Sequence, residues 1–349
     1  MPGGLSRRSR RAAGAALTAM LLGVVAAGCG PTGRTDSAPP PRVGVLLASP
    51  GRRAKVEGLS AGLAALGLQV RMDVREVGGD RSRLPVAARE LVLAGPDVLV
   101  AGGNIEAKAL VAVTRTIPIV VAGTATPRAA GVVADERRPG GNLTGVDNFH
   151  AELTPKRLEL FQKLLPGLRR VLLLYDPRVE PSREGLRLAQ EVAPRLGLEL
   201  VARPVAGAGD LERALGGISR AAFDGIVVLP GFVLEEAAPA LAAASLASGV
   251  PAMGLYPEEA QAGLLASYGV PFEEQGRQAA RLVAKVLLGE DPGSIPVETP
   301  DRPLFVVNRD VARALGLELS PTGLAFAVPV EGLPVGPFDR TEAGGGGAR

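Results

Sequence analysis

The chain has one cysteine, Cys29, one histidine, His150, and no tryptophan. A single cysteine forbids an internal disulfide. So few His and Cys residues exclude a Cys/His metal cluster. They also leave a Ser–His or Cys–His nucleophilic site almost nothing to be built from. Aromatic residues make up 3% of the chain, so the 46% that is hydrophobic must fill its cores with Ala, Val and Leu. No GxxxxGKS/T occurs and no GxGxxG follows the first strand-like run, which argues against ATP and dinucleotides. Carboxylate pairs such as Glu235-Glu236 and Glu273-Glu274 fall at expected helix starts, where they complement the dipole. No catalytic residue, metal or cofactor is expected, and the chain reads as a binder rather than an enzyme.

What is present begins at the N-terminus. Arg7, Arg8, Arg10 and Arg11 precede an apolar run from Ala12 to Ala27, short for a membrane span, and the run closes on Ala26-Ala27-Gly28-Cys29. This pattern reads as a secretory signal ending in small residues. It resembles a bacterial lipobox, with Ala26 where Leu is usual, and Cys29 then becomes the lipidated first residue of an exported protein. Such a protein is held at the outer face of the cytoplasmic membrane or in the periplasm. Removing the four signal arginines, and no acid, from 39 basic and 36 acidic residues leaves the mature chain one charge on the acidic side. The high isoelectric point is therefore no nucleic-acid footprint. Residues 29–41, ending Pro39-Pro40-Pro41, read as a flexible tether.

With 349 residues, the chain is long enough for two lobes. Short apolar runs alternate with helix-length amphipathic segments on both sides of Pro139-Gly140-Gly141-Asn142-Leu143-Thr144-Gly145-Val146. This order predicts α/β architecture: two Rossmann-like lobes with parallel sheets joined by a hinge. Lobe 1 is expected from 42–146 and 255–300, lobe 2 from 147–254 and 301–328, and a disordered tail from 329–349. The stretch after Leu143 is the first crossing between the lobes.

In parallel sheets, ligands sit beyond the carboxyl ends of the strands. Ser49, Asn104 and Thr124 mark such ends in the first lobe. Tyr175, Asp176 and Tyr256 mark them in the second, and Asn148 and Tyr268 lie near the crossings. These eight are the expected ligand contacts. Asp176 is the acid that could meet a ligand ammonium, backbone N–H groups suit a carboxylate, and the tyrosines could stack on a side chain. The expected ligand is an amino acid or related carboxylate. His150 directly follows the crossing and reads as an exposed loop residue, with ligand contact or pH sensing as the alternatives.

An ordered set of residues carries a family resemblance. It comprises Arg42-Val43-Gly44-Val45-Leu46, the Pro139–Val146 stretch, Lys156-Arg157-Leu158-Glu159-Leu160, Leu165-Pro166-Gly167-Leu168-Arg169-Arg170-Val171, Ser267-Tyr268-Gly269 and Ile295-Pro296-Val297-Glu298. Together these resemble the substrate-binding protein family of ABC transporters that includes the tryptophan-type binding proteins, from about Arg42 to Leu319. The resemblance implies a type I periplasmic binding protein fold and partnership with a permease and its ATPase. Members often carry an acid where this chain has Thr124-Ala125-Thr126-Pro127, and Asn-Pro turns where it has Tyr175-Asp176-Pro177. A lac-repressor-type regulator shares the lobes but needs an N-terminal helix-turn-helix, which a signal segment replaces. A lipoprotein that senses a ligand for a signalling receptor, and more remotely an enzyme using the same cleft, are the alternative readings.

Overall fold

A computed structural model describes residues 39–333. The signal segment, Cys29, nearly all of the tether and most of the tail lie outside the described residues. Strands β1 (Arg42–Leu47), β2 (Arg71–Glu76), β3 (Val98–Ala101), β4 (Ile119–Thr124) and β5 (Leu143–Asp147) form one sheet, ordered β2-β1-β3-β4-β5 and parallel throughout. Helices α1 (Ala54–Ala65), α2 (Leu84–Leu93) and α3 (Asn104–Val111) are its crossovers. Beyond Arg42, β1 is wholly buried, as are β3, β4 and β5. The near-continuous apolar runs of β1, β3 and β4, rather than alternating ones, are what a sheet covered on both faces requires.

The chain then crosses into a second lobe. There it forms α4 (Thr154–Leu164), β6 (Arg170–Tyr175), α5 (Glu180–Leu196), β7 (Glu199–Pro204), α6 (Ala208–Leu215), β8 (Gly225–Val228), α7 (Phe232–Glu236), α8 (Ala238–Ser248), β9 (Ala252–Gly254), α9 (Pro257–Gln261) and β10 (Ala266–Gly269). Helix α10 (Phe272–Leu287) returns to the first lobe and packs along α1. The last crossing leads to β11 (Leu304–Asn308), α11 (Arg309–Ala314), α12 (Pro321–Leu324) and β12 (Val328–Val330). The second sheet is ordered β12-β11-β10-β9-β8-β6-β7, with β10–β11 its antiparallel pair.

The cores are aliphatic, as the composition requires. One apolar cluster fills the space between the first sheet and α1 and α10, another its opposite face, and two more flank the second sheet. The α1–α10 contact depends on glycine. A Cβ on Gly276 would lie 1.9 Å from the Lys55 carbonyl oxygen, and one on Gly58 would lie 1.8 Å from that of Glu273. Only bare backbones can approach so closely.

Two boundaries differ from those read in the sequence. Residues 255–269 do not return to the first lobe. Strand β10 pairs in parallel with β9, one short helix after it, and α9 packs on β9, β10 and β11. An apolar run announces a strand but not the sheet it joins. The return begins at α10. Residues 329 and 330 belong to β12, which pairs with β11 as a seventh strand.

Candidate functional site

Three crossings join the lobes, at residues 147–154, 269–272 and 298–304. Beside them lies a cleft enclosing about 270 Å³. Its wall comes from segments at or following the carboxyl ends of β1, β2, β3, β4, β5, β6, β8 and β9, the place that parallel topology reserves for ligands.

Of the eight residues expected as ligand contacts, Asn104, Thr124, Asn148 and Tyr256 line the cleft. Asn104 and Thr124 are tied together: the Thr124 hydroxyl donates to Asn104 Oδ1, and Asn104 Nδ2 donates to the Ala125 carbonyl at 3.0 Å. Asn148 Oδ1 accepts from the His150 backbone N–H at 3.2 Å. Tyr256 is buried, with its ring on Phe272 at 4.2 Å and on His150 at 4.3 Å. Burial first, and the Glu235 charge next, push its phenol above the ordinary range.

The other four lie off the cleft wall. Ser49 is buried beneath the end of β1. Tyr175 and Tyr268 pack their rings against the apolar core of the second lobe. Asp176 is buried, and both its oxygens are held by Arg178, at 2.9 Å from Nε and 2.8 Å from Nη2. Burial opposes its charge, but the Arg178 bonds prevail and keep the carboxyl below its ordinary range. The acid expected to meet a ligand ammonium is thus already paired, and it orients Arg178, which does line the cleft.

Charged residues that the sequence reading passed over dominate the deep wall. Arg52, 7% exposed, follows β1. Its Nη1 donates to both oxygens of fully buried Glu106, at 2.8 and 2.9 Å. Its Nε and Nη2 each donate at 2.8 Å to Glu235, on α7 of the other lobe. Glu235, read as a helix-start carboxylate, is instead half of an ion pair that ties the two lobes across the cleft. Burial works against the guanidinium charge, but the two carboxylates override it and hold its pKa above the ordinary value. The Arg52 guanidinium also lies 5.1 Å over the Phe232 ring, again across the cleft.

Lys55, 3% exposed, donates to the carbonyls of Gly102 at 2.6 Å and Ala122 at 2.7 Å. Burial first, and neighbouring Arg52 next, lower its pKa to about 7. Gly123 makes room for it. With φ at +90° there, a Cβ would lie 1.7 Å from Gln275 Oε1 and 3.2 Å from Lys55 Nζ.

His150 is not an exposed loop residue. It is 1% exposed and lines the cleft, its Nδ1 2.6 Å from Arg157 Nη2. Arg157 is itself wholly buried and donates to the carbonyls of His150 at 2.5 Å and Tyr268 at 2.7 Å. Burial, then the Arg157 charge, push the imidazole pKa well down. The available signals were the basic residues directly after the first strand and an acid in the turn after Gly102-Gly103-Asn104. Neither says which residue faces inward.

A family model described as ABC transporter substrate binding protein matches residues 42–330. A curated relative from Clostridioides difficile, strain R20291, named tyrosine-binding protein, is 23% identical over 252 residues, covering 72% of each chain. The crystal structure of a conserved domain protein from Vibrio cholerae O1 superposes with a TM-score of 0.76 at 28% identity, over 83% of this chain and 99% of that one. A Streptococcus pneumoniae structure, titled an ABC domain in complex with L-Trp, gives 0.75 at 24% identity, over 82% and 99%. One family thus accounts for the chain from its first strand to its last. The chain therefore belongs to the ABC transporter substrate-binding proteins, and its two lobes of mostly parallel strands are those of the type I periplasmic binding protein fold.

Proposed function

We propose that the chain is the extracytoplasmic, lipid-anchored binding protein of an ABC importer and captures an amino acid or related carboxylate between its lobes. The observation carrying this reading is the cleft itself. It is sized for one small solute, it is walled by strand ends of both sheets, and its deep wall is rich in hydrogen-bond donors. Supporting it, one relative is named for tyrosine binding and one structural neighbour is titled as a complex with L-Trp. Phe232 and Tyr256 supply rings on which such a side chain can stack. Asn104, Thr124, Asn148 and Tyr256 are the proposed polar contacts, with Asp176 acting through Arg178 at the rim. Anchoring at Cys29 and delivery to a permease and its ATPase belong to the same reading and rest on the N-terminal sequence and the family.

A thermal-shift screen of amino acids, short organic acids, purines and sugars tests the ligand class. A ligand at a hundred times its Kd stabilises by about 2.7 kcal/mol, which moves the melting point of a chain this size by roughly 4 °C. Amino acids or carboxylates should give that shift. Stabilisation by sugars or nucleosides alone would contradict the reading.

A further inference from the structure

Three cations are buried in the described residues: Arg52, Lys55 and Arg157. Arg52 has two carboxylates. Lys55 and Arg157 have none within ion-pair distance, and their bonds go to neutral acceptors. Leaving charge in a dry interior without a counterion is costly, so two such cations beside one cleft call for an explanation.

The bonding leaves specific donors unused. An ammonium has three N–H groups, and Lys55 gives two of them to the Gly102 and Ala122 carbonyls. A guanidinium can only donate, so His150 Nδ1 accepts from Arg157. The neutral imidazole must then carry its proton on Nε2. That Nε2 is buried and has no partner, in a residue that lines the same cleft as Lys55. Of the acids near Lys55, Glu106 and Glu235 are claimed by Arg52. The third, Glu258, accepts from the Phe272 backbone N–H at 2.7 Å. Its Oε2 has no partner, and burial pushes it toward its neutral form.

We infer that Lys55 and His150 form an anion subsite at the hinge side of the cleft that receives the ligand's carboxylate. Arg157 is the positioning residue that fixes the imidazole tautomer and lends a second uncompensated positive charge. This inference rests on the cleft binding a carboxylate and adds where and how that group is held. The ligand enters carboxylate first, toward the crossings, with its side chain toward Phe232 and the rim. The lowered Lys55 pKa fits this arrangement: an incoming carboxylate restores the charge that Arg52 and burial oppose, whereas the nearby Glu106, Glu235 and Glu258 favour it.

The test is calorimetry with L-tyrosine, L-tryptophan and L-leucine, each against its primary amide. Wild type should prefer the acid of the binding pair at least tenfold. Lys55→Gln, which can still donate to the two carbonyls, should cut that preference to within about threefold, and Lys55→Arg should keep part of it. His150→Ala should weaken the acid more than the amide. In wild type alone, binding at pH 8 should take up protons, seen as a dependence of the heat on buffer ionisation enthalpy. A wild type that binds acid and amide alike, or a Lys55→Gln variant with its preference intact, overturns the subsite and leaves the functional reading standing. Binding of none of the three acids, with a sugar bound instead, overturns both.

Discussion

At the scale of single residues, the buried titratable groups give opposite pH signatures. Lys55 titrates at about 7 in the fold against an ordinary 10.5. Between those values the unfolded chain binds more protons, so stability rises with pH across that window. Urea melts from pH 6.5 to 10 should show the rise, and Lys55→Met should flatten it. Glu259, whose Oε2 accepts from the backbone N–H groups of Leu255 and Tyr256, is pushed by burial to about 8 from 4.5. There the folded chain binds more protons, and stability falls as pH rises from 4.5 to 8. Glu259→Gln keeps an acceptor oxygen and should remove that fall, which melts extended down to pH 4.5 would reveal. The sequence located the strand ends from which the site is made, because turn residues follow apolar runs. It could not show that Tyr175 and Tyr268 turn into the core while Tyr256 turns into the cleft. Nor could it show that Asp176 is claimed by Arg178 two residues on, since both facts depend on three-dimensional neighbours.

At the scale of elements, the contact between α1 and α10 holds the return segment onto the first lobe. Gly276→Ala would push a methyl into the Lys55 carbonyl. Neither helix can easily retreat, because α1 sets Leu59 and Leu63 into the core under the sheet and α10 packs on β4 and β5. The cost should reach or exceed the usual overpacking range of about 1–3 kcal/mol, read as a lower urea midpoint with an unchanged m-value. The shift would also displace Lys55, so ligand affinity should fall with stability. The β-α alternation of the first lobe was legible because β1, β2 and β3 are each followed by a crossover helix. The second sheet was harder to read. Strand β9 has three residues and α9 five, too short to show a period, and β10 was therefore separated from its true neighbour.

At the scale of the molecule, three crossings make a hinge, and the Arg52–Glu235 pair spans the cleft between the lobes. Breaking a buried pair by removing one partner costs roughly 3–5 kcal/mol, and Glu106, which stays bound to Arg52, should soften that loss. Glu235→Gln should therefore shift the ligand-free protein toward an open form. Small-angle scattering would record this as a larger radius of gyration that shrinks again at saturating ligand. Two lobes and a cleft could be inferred from a sequence with repeated β-α units on either side of one glycine-rich stretch. The ion pair that joins the lobes could not, because its partners lie 183 residues apart in the chain. The central claim is that one small carboxylate solute is bound between the lobes. The most direct measurement is a calorimetric titration of the wild-type protein with the strongest amino-acid hit of a thermal-shift screen, repeated on Asn148→Ala. The account predicts saturable binding of one ligand per chain, weakened about tenfold or more in the variant. Binding that is absent, or that is the same in both proteins, would contradict it.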